Sequence, residues 1–146
     1  MAFSESYEDE KLRTESEFAK ELEVRGQPAE WFVLGAFNES NELIGFVKFR
    51  RDVRSKARHK SMIHAMYTDP KVRGQKVGKK LIEELEVRAK KLVGLEQIHL
   101  WVLHAETSAS EFYEKCGYQR QGPYVNKDLK IDGKYVDAEY MVKYLD

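Results

Sequence analysis

Cysteine, proline and net charge are all scarce in this 146-residue chain. A single cysteine, Cys116, can close no internal disulfide, and no Cys/His spacing suited to zinc accompanies it, so neither a disulfide framework nor a metal site is expected. The three prolines, Pro28, Pro70 and Pro123, are scattered rather than gathered into a linker. Lys plus Arg number 25 and Asp plus Glu 25, a formal net charge of +0, which argues against a chain built to coat nucleic acid or an anionic membrane. No apolar run approaches the roughly 18 residues of a membrane span. The start, MAFSESYEDEKLR, is acidic where a secretory signal is basic and then apolar. Without repeat or low-complexity stretch, residues 1–146 are expected to form one domain in a reducing, cytoplasmic setting.

What is present is enough for a packed core. Hydrophobic residues make up 42% and aromatics 12% beside 34% charged, the balance of a folded domain rather than a disordered tail. The even charge total hides a segregation. Residues 1–23 carry eight acidic and three basic side chains, whereas residues 48–60 carry seven basic and one acidic, and residues 71–80 five basic and none acidic.

Periodicity and punctuation predict the elements. Thr14 opens a helix with Glu17 completing a capping box, and Gly26 and Pro28 stop it. WFVLGAF (31–37) is almost wholly apolar and reads as a strand covered on both faces. The turn NESNE then returns the chain as LIGFVKFR (43–50) in a hairpin. Residues 51–60 read as an exposed basic loop, and SMIHAMYT (61–68) as a further strand ended by Asp69-Pro70. Residues 78–93 make the most regular helix, with Leu81, Ile82, Leu85, Ala89 and Leu92 on one stripe and Gly94 at its end. QIHLWVL (97–103) is a strand, 108–116 a short helix stopped at Gly117, and two closing strands fall around 118–124 and 135–144, joined through the turn Asp132-Gly133. Trp31, Trp101 and Cys116 read as core. The order implies an α/β (α+β) fold, with a mixed, mostly antiparallel sheet of about six strands and helices on both faces.

The segment between SMIHAMYT and the long helix is the one that carries chemistry. In KVRGQKVGKK (71–80), Gly74 and Gly78 permit a tight turn that gathers backbone N–H groups, and the helix N-terminus adds the positive end of its dipole. Arg73, Lys76, Lys79 and Lys80 surround that point with charge, as a pyrophosphate site requires. The pattern is neither G-x-x-x-x-G-K-[ST] nor G-x-G-x-x-G. On spacing alone, a glycine turn ahead of a lysine-rich solvated helix remains an equal reading.

Taken in order, MIHAMYTDP, VRGQKVGKKLIEEL, IHLWVL and ETSASEFYEKCGY resemble the GNAT superfamily of acetyl-CoA-dependent N-acetyltransferases over roughly Trp31 to Leu145. The family's acetyl-CoA loop, R/Q-x-x-G-x-G/A, falls on Gln75-Lys-Val-Gly78-Lys-Lys80. Lys80 replaces the final small residue, and Lys76 stands where glycine is common. A second family motif, A-x-x-L-Y-x-x-x-G-F, appears as Ala109-Ser-Glu-Phe-Tyr113-Glu-Lys-Cys-Gly117-Tyr118, with Glu106 where an asparagine often precedes it.

The resemblance implies that Met66, Tyr67 and Thr68 offer backbone groups to the pantetheine arm, that Arg73, Gly74, Gln75, Lys76, Val77, Gly78 and Lys79 hold the pyrophosphate, and that Glu106 and Ala109 lie near the pantetheine. Tyr113 matches the position that protonates the departing sulfur, the other reading being a packed aromatic beside Phe112. His64 occupies a position where the family often has a glutamate base, with His104 and Glu106 as competing candidates. Activity is then acetyl transfer from acetyl-CoA, as co-substrate, to a small amine or a peptide N-terminus, with no metal and no nucleic-acid partner. The alternative is an acetyl-CoA-binding module without efficient turnover. The basic stretch 48–60 is read as a solvated loop, with the CoA 3′-phosphate, an acidic substrate or a nucleic acid as the other readings. Family members of this type usually begin with a further strand and helix. Their absence here implies an unpaired sheet edge that a second copy of the chain would cover.

Overall fold

Seven consecutive residues with hardly a polar side chain, Trp31–Phe37, form the first strand, β1, whose central Phe32, Val33 and Leu34 are all buried. Burial of neighbours that point to opposite faces confirms a strand covered on both sides. A tight turn, in which Asn38 accepts hydrogen bonds from the amides of Asn41 and Glu42, delivers the chain into β2, Leu43–Arg51. After a single 3-10 turn at Ser55–Ala57 comes β3, Lys60–Thr68, and the three strands form an antiparallel meander. A second 3-10 turn, Pro70–Val72, leads toward helix α1, Val77–Ala89. Later come β4 (Gln97–Leu103), helix α2 (Thr107–Lys115), β5 (Gln119–Arg120), β6 (Val125–Ile131) and β7 (Lys134–Tyr144).

The computed structural model describes residues 30–72, 76–103, 107–122 and 125–145. The helix expected from Thr14 lies outside them, as do Arg73, Gly74, Gln75, His104 and Glu106. The chain divides into two compact units, Met1–Leu95 and Glu96–Asp146. No helix among the described residues is long and apolar enough to cross a membrane.

In the first unit, α1 buries the predicted stripe of Leu81, Ile82, Leu85 and Ala89 against the meander. The helix ends at Ala89 with Lys90 as its C-cap, and Leu92 is buried from the following turn rather than from the helix. On one face of the strands Phe32 stacks on Phe49, ring centroids 4.7 Å apart. On the other, Val33, Leu43 and Phe46 form a cluster against which Ala65 and Tyr67 pack. The basic stretch proves less loose than expected. Arg51 is 8% exposed and donates to Glu30 Oε2, Arg58 O and the Val93 carbonyl at 3.0, 2.6 and 2.8 Å. That buried guanidinium ties the end of β2 to the turn after α1.

In the second unit, β7 is central, pairing antiparallel with β4, β5 and β6. Asp132 and Gly133, both at positive φ, make the two-residue turn of the β6–β7 hairpin, as the Asp-Gly pair predicts. The closing segment gives two strands ahead of that turn instead of one, which brings the described strands to seven against the expected six or so. Every strand pair described inside each unit is antiparallel, and the expected α/β class is borne out. Three core assignments are corrected. Trp31 is 36% and Trp101 46% exposed, and Cys116 is only half-buried. Trp101 and His99 alternate with Ile98, Leu100 and Val102 on a strand whose two sides are both apolar in sequence, so pattern alone could not say which side opens outward.

Candidate active site

The first unit brings the predicted anion-binding segment to the end of β3. There the Asp69 carboxylate accepts from the Lys71 amide at 2.9 Å, and the Asp69 carbonyl from the Val72 amide at 3.0 Å, which reverses the chain. Lys76 then takes a left-handed conformation, φ 62 and ψ 24, as the N-cap of α1. It offers no side-chain cap, and the first intrahelical bond runs from the Lys80 amide to the Lys76 carbonyl. The amides of Val77, Gly78 and Lys79 are therefore left without helical acceptors. No acidic side chain stands in the first turn, and Lys76, Lys79 and Lys80 are exposed around it. Unpaired donors, a helix dipole and surrounding ammonium groups fit a doubly charged pyrophosphate.

Gly45 sets how closely that helix end approaches the sheet. A Cβ there would stand 3.0 Å from the Tyr67 carbonyl and 3.3 Å from both Val77 Cγ1 and Leu81 Cδ1. Met66, Tyr67 and Thr68, half-buried, are in register with Val47, Phe46 and Gly45 of β2. An antiparallel partner engages only alternate residues, so half of their backbone groups point away from β2.

His64 lies where the β2–β3 register breaks. Lys48 is opposite Ala65 and Phe49 opposite Ile63, so His64 is the extra residue of a β-bulge. A bulge re-aims its side chain and is common beside active sites. The imidazole is exposed, yet its pKa is held below 6.5, first by partial desolvation and then by the positive charges of Arg50 and Lys48. All of these favour the neutral ring, the form that can accept a proton. Nothing in the sequence marks the bulge, because the apolar alternation of SMIHAMYT runs through it undisturbed.

The second unit explains the spacing of the other motif. The Tyr118 amide donates to the Tyr113 carbonyl and the Gly117 amide to the Glu114 carbonyl, both at 3.0 Å, with Gly117 at φ 96. This is the Schellman closure of α2, which needs glycine one residue past the cap and a hydrophobic contact across it. Tyr113 and Tyr118 supply that contact edge to face, centroids 5.7 Å apart, and Phe112 flanks Tyr113 at 5.1 Å. Lys143 donates to the Cys116 carbonyl at 2.7 Å and so caps the helix end. Tyr113 is thus a buried, immobilised ring, 9% exposed, at a position the helix stop itself fixes. Ala109 is half-buried one turn earlier, beside Ser110, whose buried hydroxyl has no hydrogen-bond partner among the described residues.

A strand entering a cation-rich helix start, followed later by a helix whose stop locks a tyrosine, is matched by one family model, Acetyltransferase (GNAT) family, over residues 1–118. The chain belongs to the GNAT acetyltransferase family. Solved structures agree on the fold. The chain is similar to an acetyltransferase of the GNAT family from Streptococcus pneumoniae at 23% identity and TM-score 0.74, covering 92% of this chain and 79% of that one. It is similar to a GNAT superfamily phosphinothricin acetyltransferase from Sinorhizobium meliloti, solved in complex with AcCoA, at 24% identity and TM-score 0.71, covering 91% and 70%. A ribosomal-protein-alanine N-acetyltransferase from Brucella melitensis gives 20% identity and TM-score 0.70, covering 89% and 76%. No curated protein matches the sequence.

Two polar clusters escaped the sequence reading. His99, buried on β4, places Nδ1 against the Tyr140 hydroxyl and Nε2 2.7 Å from Gln97 Oε1. Arg120 bridges Glu114 at 2.7 Å and the buried Glu139 at 3.2 Å. Each takes one partner from β7, Tyr140 or Glu139, which is distant in sequence and brought near by the strand pairing.

Proposed function

We propose that this GNAT protein is an acetyl-CoA-dependent N-acetyltransferase that moves the acetyl group to the primary amine of a small molecule or a peptide N-terminus by direct attack. The observation that carries this reading is His64, a histidine set in the bulge of β3 with its pKa held below 6.5, on the strand that feeds the helix start suited to a pyrophosphate. The phosphorylated donor is held by the amides of Val77, Gly78 and Lys79 with the charges of Lys76 and Lys79, joined by Arg73, Gly74 and Gln75. Backbone groups of Met66, Tyr67 and Thr68 receive the pantetheine arm as an added strand would, and Glu106 and Ala109 face it. His64 accepts a proton from the attacking amine as the N–C bond forms. The C–S bond breaks, and Tyr113 gives its phenolic proton to the departing sulfur, to be reprotonated from solvent.

Family membership and the AcCoA bound in the Sinorhizobium meliloti relative support the donor. The amine acceptors named for the relatives support N-acetylation. Tyr113→Phe tests the assignment, since it removes one oxygen and keeps the ring packing. Turnover should fall by about 10²–10⁴, the usual worth of a general acid, with CoA affinity by calorimetry unchanged. Tight CoA binding without transfer to any member of a broad amine panel would make the chain a binding module and overturn the reading.

A further inference from the structure

Beside His64 the first unit presents an unspent guanidinium. Phe46, Lys48 and Arg50 alternate along β2 and share one face, passing from buried through half-buried to exposed. Ala65, in register with Lys48, packs with Tyr67 on the Phe46 cluster, which fixes that face as the one they share. Arg50 is opposite Met62 and Lys48 opposite Ala65, so the two cations bracket the bulge that carries His64. Diagonal neighbours across an antiparallel pair lie about 7–8 Å apart, within reach of one small bound molecule.

Three arginines near Arg50 are engaged. Arg51 and Arg58 share Glu30, and Arg54 is paired with Asp52 at 2.6 Å. The Arg50 side chain makes no ion pair or hydrogen bond with any described residue. The residues in register with Arg50 are Trp31 on β1 and Met62 on β3, neither of them a carboxylate. An exposed arginine that faces no carboxylate among the described residues, beside a neutral base, is arranged for an anion brought by a ligand. Its planar fork suits a carboxylate bound through two oxygens.

We propose that Arg50 anchors an anionic group of the acceptor, so that the preferred acceptors are amines carrying a carboxylate, as free amino acids do, rather than peptide N-termini. This rests on His64 being the base of the transfer reaction. Arg50 holds the acceptor by its anion and thereby presents the amine to the imidazole.

The test compares L-amino acids with their carboxamides, which differ only in the anion, on the wild type, Arg50→Met and Arg50→Lys at pH 8. Wild type should favour the acids by about tenfold or more in kcat/KM, the worth of a hydrogen bond to a charged group. Arg50→Met should abolish that preference through KM for the acids and leave the amides unchanged, and Arg50→Lys should restore part of it. Equal rates for acids and amides in the wild type, or an equal loss for both in Arg50→Met, would overturn the proposal while leaving N-acetylation standing. Calorimetry of N-acetyl amino acids against N-acetyl amino amides, with CoA-saturated protein, reads the same discrimination without turnover. A carboxylate preference that depends on Arg50 there, in a protein that transfers no acetyl group, would sustain the anion site and remove the catalytic reading.

Discussion

Lys76 occupies backbone space that an L-residue enters at a cost of about 1–2 kcal/mol and glycine enters freely. The sequence motif permits glycine here, and the φ of 62 supplies the physical reason. Lys76→Gly should raise stability by about 1 kcal/mol in urea unfolding, relief of strain exceeding the added freedom of the unfolded chain. An unchanged or lower midpoint would show that the left-handed turn is not strained. His64 makes the complementary point. Its residue type was legible and its chemistry followed from type, but its aim came from a bulge that side-chain alternation conceals. Burial of Arg51 was equally hidden, because a guanidinium that will meet two carbonyls and Glu30 looks, in sequence, like any member of a basic run.

Elements were legible where local chemistry decides them. The stop of α2 needs Gly117 with aromatic residues on either side of the closure, all within six positions, and the β6–β7 turn needs only Asp132-Gly133. Less legible was the stretch from Tyr118 to Ile131. Its division into β5 and β6 depends on which part of β7 each meets, Met141 and Val142 for β5 and residues 134–138 for β6. The seating of α1 also depends on a distant partner, Gly45, at the other end of a hairpin from the helix it admits. Gly45→Ala puts a methyl group against the backbone carbonyl of Tyr67, which cannot yield as a side-chain tip can. Overpacking of this kind costs about 1–3 kcal/mol. Because Val77 is among the atoms displaced, CoA affinity should fall together with the unfolding midpoint. A loss of stability with CoA affinity intact would detach the helix start from phosphate binding.

For the molecule as a whole, neutrality conceals a division of cationic labour. The basic turn 52–59 and the lysine-rich start of α1 lie at opposite ends of β3, whose nine residues, with steps of about 3.3 Å between them, separate the two by about 26 Å. That excludes the basic turn as part of the helix-start phosphate cradle and leaves Arg50 and Lys48, partway along β2, as the cations that act on His64 among the described residues. The central claim is that His64 removes the proton from the acceptor. Its pKa lies below 6.5, so the ring is neutral and competent at neutral pH, and activity should decline as pH falls through that value and the imidazole becomes charged. The most direct measurement is the pH profile of kcat/KM for acetyl transfer in the wild type and in His64→Gln. The account predicts an acid limb with an apparent pKa below 6.5 in the wild type, and in His64→Gln a rate about 10²-fold lower or less with that limb gone. An acid limb and a rate that survive His64→Gln unchanged would contradict it.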